Sequence, residues 1–116
     1  MPNIFKYPPD LGPDGEEWFE PLLDGPDGLL VERIVSHGQT TPEGQWYDQD
    51  RDEWVLVAEG TARIGFDDGR EVTLNRGDHL FLPRRVRHRV LHTSRPCVWL
   101  AIHGGLSPAA ISSKDI

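Results

Sequence analysis

From Leu29 onward the chain is a series of short runs in which apolar and polar side chains alternate, broken by turn residues. Leu29–Ser36 mixes β-branched and charged residues, and Gln45–Gln49 is short and aromatic. Residues 53–59 place Glu53, Val55 and Val57 on one face, with Trp54, Leu56 and Ala58 on the other. Residues 61–66 and 71–74 flank Asp67-Asp68-Gly69-Arg70, a hairpin signal because Asp-Gly tolerates positive φ. A second turn, Asn75-Arg76-Gly77-Asp78, leads into His79–Leu82, followed by Val86–His92 and Cys97–His103. About eight short strands, with turns roughly every 8–12 residues, predict a closed or sandwiched all-β domain. The single helix candidate is Pro108–Ser113.

The pattern divides the chain into an irregular N-terminal arm over 1–28, a barrel over 29–104 and a C-terminal tail over 105–116. The arm holds six of the ten prolines, which suit neither ladder nor helix interior. Its apolar residues, among them Phe5, Trp18, Phe19 and Leu22, predict that it packs on the barrel or on a dimer partner. A length of 116 residues suits one domain with one core.

Composition and charge narrow the function classes. No apolar run approaches the roughly 18 residues of a membrane span. Met1–Pro9 lacks the apolar stretch of a signal peptide, so a cytoplasmic location is the default expectation. The lone cysteine, Cys97, permits neither an intrachain disulfide nor a cysteine-based zinc site, and reads as a small buried hydrophobe. The net charge of −7 argues against nucleic acid as a partner. Charge is uneven: residues 1–59 carry a net −11 and residues 60–116 a net +4. The basic excess gathers at Arg84, Arg85, Arg87 and Arg89. Arg85 and Arg87 read either as a clamp for an anionic small molecule or as a solvated charge run.

Strand alternation brings candidate chemistry together. If Glu53 faces inward, so do Val55 and Val57; if His88 does, so do Val90 and His92. On the last strand the set Val98–Leu100–Ile102 is expected inside and Trp99 outside. A carboxylate and an imidazole facing into a barrel mouth need partners, and a divalent metal satisfies both. Nitrogen and oxygen donors without sulfur suit iron, manganese, nickel, zinc or copper.

These residues resemble the cupin family, whose motifs are G-x5-H-x-H-x3,4-E-x6-G and G-x5-P-x-G-x2-H-x3-N. Here Glu53 and Gly60 match the end of the first, while Gly77, Pro83 and His88 match the second. Arg85 stands where a glycine is usual, and His92 where the closing asparagine is. The first motif's histidines are replaced by Trp46 and Asp48, or by Tyr47 and Gln49 under the other spacing. The resemblance implies a double-stranded β-helix, or jelly-roll barrel, and a homodimer. It also implies a divalent metal on Glu53 and His88, to which Asp48 and His92 add candidate ligands. His92 is also a candidate acid–base group, and Arg87 a candidate for orienting a small polar or anionic substrate. Oxygenase, isomerase and decarboxylase chemistry all remain open. The alternative is a metal-free cupin that binds or senses a small molecule, with Glu53 and His88 satisfied by each other or by an arginine.

Overall fold

The computed structural model describes residues 1–8 and 15–110. Eight strands form two antiparallel sheets: β1 (Trp18–Asp24), β2 (Leu30–Ser36), β3 (Asp52–Glu59), β4 (Ala62–Phe66), β5 (Glu71–Leu74), β6 (His79–Leu82), β7 (His88–Thr93) and β8 (Cys97–Gly104). One sheet runs β1-β2-β8-β3-β6 and the other β5-β4-β7. Their inner faces share one core, with Ile34, Val55 and Val57 from the first meeting Ala62, Ile64 and Phe66 from the second. This is the all-β jelly roll that the alternation predicts. Pro108–Ala110 have no regular structure, and the rest of the helix candidate, residues 111–113, lies outside the described residues. No helix among the described residues is long and apolar enough to cross a membrane.

Residues 18–24, inside the proline-rich stretch, form the edge strand β1. Pro21 fits there because an edge strand has one side with no partner to receive its missing N–H, and the register shifts just after it. Arg33 on the outer face of β2 ties down the chain before β1. Its guanidinium donates to the carbonyls of Asn3, Ile4 and Lys6 at 2.8–3.0 Å and to Glu20 at 2.7 Å.

The turns follow the sequence signals. Gly69 adopts φ +93°, and the Phe66–Arg70 backbone bonds close the predicted hairpin. Gly60 combines φ +89° with close packing: a Cβ there would run into Ser94 Oγ and the Pro96 carbonyl. Only glycine satisfies both constraints.

Two irregularities decide which side chains reach the interior. In β7, Val90 pairs with Ile64 but His92 pairs with Arg63, so Leu91 is an extra residue in the ladder. Such a bulge breaks the two-residue period: His88 is buried, Thr93 is buried, and His92 is exposed. In β8 the inward set is Cys97, Trp99, Ala101 and His103, while Leu100 and Ile102 are only half-buried. The expected orientation of β8 is therefore reversed. Val98 is buried as well, so apolarity alone does not distinguish the two faces of this central strand.

Candidate functional site

A cavity of about 100 Å³ opens between the two sheets. Its polar wall is made by Glu17, Glu32, Tyr47, Glu53, His88 and His103. Val55, Ile64, Leu82 and Trp99 supply much of its apolar wall, and Phe19 stands at the rim, half exposed. A larger cavity of about 560 Å³ lies on the outer face of β3, β6 and β8, but His79 is its only titratable residue.

Register builds the polar cluster. Glu53 and His103 are direct cross-strand partners on β3 and β8. Glu32 sits on neighbouring β2, two residues along from the position opposite His103. Three of the four groups thus come from adjacent strands of one sheet, and His88 enters from the opposing sheet. His103 Nε2 lies 2.9 Å from Glu32 Oε1 and 3.6 Å from Glu53 Oε2. His88 Nε2 lies 3.8 Å from Glu53 Oε1. The first distance is a hydrogen bond; the other two are too long for one.

Glu53 therefore makes no hydrogen bond among the described residues, although it is only 7% exposed. Burial pushes its carboxyl pKa up; His103 opposes this, Glu32 adds to it, and Arg51 opposes it more weakly. Burial also pushes the His88 pKa down, so its imidazole is neutral near pH 7. His88 Nδ1 lies 3.1 Å from the Val86 carbonyl, which can only accept, so the proton sits on Nδ1. The Nε2 lone pair then faces Glu53 and the cavity. His103 is placed differently: its Nε2 proton goes to Glu32, and its buried Nδ1 has no partner.

Tyr47 completes the wall. It exchanges both backbone hydrogen bonds with His88, and their rings stack at 5.5 Å. Burial raises its phenol pKa, and Glu17 and Glu53 raise it further. Glu17 is held on the other side, accepting from Ser36 Oγ at 2.5 Å, while Ser36 accepts from Trp99 Nε1 at 3.1 Å.

Glu53 and His88 meet in the cavity, and the other candidates lie outside it. Asp48 points away toward Arg85, 3.3 Å distant, because Tyr47 and Gln49 are the residues of that segment that face the pocket. These two occupy the places of the family's two histidines. His92 is on the outer face beyond the Leu91 bulge. Arg87 is 3.9 Å from Asp67, and it shares the Trp46 ring with Arg89, each 5.6 Å from its centroid. Arg85 holds φ +65°, the conformation that explains the usual glycine. His103, Glu32 and Glu17 are pocket residues that the sequence analysis passes over. For His103, the seventh residue of β8, no motif marks the position, and the alternation of β8 is its only signal.

The donor set fits a divalent ion in kind: two imidazoles and two carboxylates, with one imidazole tautomer already fixed by a backbone carbonyl. As they stand, no three or more His, Cys, Asp or Glu side chains among the described residues are arranged to hold a metal. In this arrangement His103 Nε2 is engaged with Glu32.

The cupin domain family matches residues 32–103. No curated protein matches. Among solved structures, a candidate mannose-6-phosphate isomerase from Ralstonia eutropha JMP134 is 40% identical, with 91% of this chain and 98% of that one covered and a TM-score of 0.82. A cupin superfamily protein from Desulfitobacterium hafniense DCB-2 is 17% identical over 82% of this chain and 83% of its own, with a TM-score of 0.68. The DMSP lyase DddQ from Ruegeria pomeroyi DSS-3 is 22% identical over 72% of this chain and 42% of its own, with a TM-score of 0.58. With most of its length matched by the family and a relative of this similarity, the chain belongs to the cupin family.

Proposed function

We propose that the protein binds a divalent metal ion between Glu53, His88 and His103, with Glu32 beside them, and acts there on a small polar molecule. The observation that carries this is the Glu53 carboxylate: buried, without a hydrogen bond, and flanked by two imidazole nitrogens at 3.6 and 3.8 Å. A buried charge in that position is costly unless something compensates it. The imidazole Nε2 of His88 offers its lone pair to the same point. His103 would join as the tautomer protonated on Nδ1, which frees the Nε2 lone pair from Glu32. When bound, such an ion supplies Lewis acidity toward an oxygen of the substrate. The chain's own contribution is to exclude water with the apolar wall and to hold the His88 ring against Tyr47.

A second reading is favoured by the direct His103–Glu32 contact. In it Glu53 stays protonated, and the pocket binds a small molecule without metal. Calorimetric titration with Mn²⁺, Zn²⁺ and Ni²⁺ separates the two. The metal reading expects saturable binding that Glu53→Gln and His88→Ala both abolish; no binding of any of the three leaves the second reading.

A further inference from the structure

We infer that this pocket recognises a small organic ammonium ion, with the Glu17 carboxylate as its counter-ion and Phe19, Tyr47 and Trp99 as its aromatic walls. The inference rests on the proposed reading of this cavity as the ligand site, and not on whether a metal is held.

Three observations lead to it. The cavity is lined by three carboxylates, Glu17, Glu32 and Glu53, and by no lysine or arginine. Arg84, Arg85 and Arg87 lie against Asp52, Asp48 and Asp67, while Arg51 donates to the Gly28 carbonyl and Arg89 to the Thr41 carbonyl. An anion entering here meets like charge with no counter-ion, whereas a cation relieves the burden. A divalent ion at Glu53 would offset two of the three carboxylates and leave Glu17. Second, Glu53 is more than nine-tenths buried, makes no hydrogen bond and faces the cavity, so the pocket already has one unmet demand for positive charge.

Third, Glu17 shares the cavity wall with Phe19, Tyr47 and Trp99. The Ser36 hydroxyl, itself held by the Trp99 indole, donates to Glu17 and orients it. A carboxylate in a wall that also holds aromatic rings suits an ammonium group, which bonds to the oxygen through N–H and to a ring through cation–π attraction. Size agrees: a cavity of about 100 Å³ has room for several waters, each needing on the order of 10–15 Å³ by the same measure, and so for a small amine.

The test compares n-propylammonium, 1-propanol and propionate, which share length and differ in charge. Binding is read by tryptophan fluorescence, with backbone amide shifts locating it at Tyr47, Glu53 and His88, on protein as purified and after chelation. The expected order is propylammonium tighter than propanol by about tenfold, with propionate weakest; tenfold corresponds to about 1.4 kcal/mol. Glu17→Gln keeps the oxygen that accepts from Ser36, and it should remove the preference while leaving propanol affinity within about twofold. Phe19→Leu, at a half-exposed edge position, should weaken propylammonium several-fold. Propionate binding as tightly as propylammonium in the chelated protein, a preference that survives Glu17→Gln, or no saturable propylammonium binding would each overturn the inference. Metal content measured on the same samples keeps the two proposals apart. A lost charge preference with metal uptake intact refutes this inference alone. Charge preference in protein that purifies without metal and takes none up supports it and refutes only the metal assignment.

Discussion

Glu53 and His103 face each other across the β3–β8 ladder, and their side chains stop 3.6 Å apart without a hydrogen bond. Strand pairing places the two groups together; the missing bond leaves the carboxylate uncompensated. A residue held this way lowers the stability of the metal-free fold, the usual trade at functional sites. Glu53→Gln should therefore raise the stability of chelated protein by about 1 kcal/mol, since it removes a buried charge at constant shape. Urea unfolding of chelated wild type and variant checks this, and a less stable variant would mean that Glu53 is already satisfied within the chain.

Asp52, next along β3, points the other way and is well satisfied. It accepts from the backbone N–H of Arg84 and of Leu106 at 2.8 and 2.9 Å, joining the β6–β7 connection to the segment after β8. These two backbone bonds, with the Arg84 guanidinium, lower its pKa to about 2. A carboxylate with a depressed folded pKa stabilises fully above its unfolded value of about 3.9, and the contribution fades as pH falls toward the folded value. Asp52→Asn should thus lower the melting temperature at pH 7, and the gap from wild type should shrink as pH drops below about 4. A gap independent of pH would show that the two backbone bonds, and not the charge, matter.

Two turn positions should respond in opposite directions. Gly60 has φ +89° and no room for a Cβ, so Gly60→Ala should cost about 2 kcal/mol or more. Arg85 has φ +65° with only an exposed ion pair to Asp48, so Arg85→Gly should gain up to about 1 kcal/mol from relief of the left-handed backbone. Thermal melts of both variants decide. A stabilised Gly60→Ala would mean that the turn rearranges.

The strand pattern carried most of the fold, because alternation and turn chemistry are local and recur from β2 to β8, whereas Gln45–Gln49 forms only an isolated bridge at Tyr47. Glu53 and His88 were also readable, since each sits at a fixed spacing from a glycine or proline that a turn requires. The rest of the site was hidden for two physical reasons. The Leu91 bulge cancels alternation within one strand, so His92 leaves the face that His88 occupies. β8 runs between β2 and β3 and is buried at Val98 as well as at Trp99, so no polar face marks its outside and His103 could not be placed. Glu17 and Phe19 lay in a proline-rich stretch whose edge strand has no periodic signature.

Placement outside the pocket predicts indifference. His92→Ala and Asp48→Ala should leave metal uptake within about twofold of wild type, because neither side chain reaches the cavity. Calorimetry with the same ion used for wild type reads this. Loss of uptake in either variant would require a different arrangement of β7 or of residues 45–49 in solution.

Elemental analysis of untagged protein, purified without chelator, is the measurement on which the metal assignment stands, with His88→Ala alongside as the comparison. The account predicts near-stoichiometric divalent metal in wild type and its loss in the variant, with both chains folded by circular dichroism. Wild type that carries no metal, and takes up none when iron, manganese, nickel, zinc or copper is supplied, would contradict it.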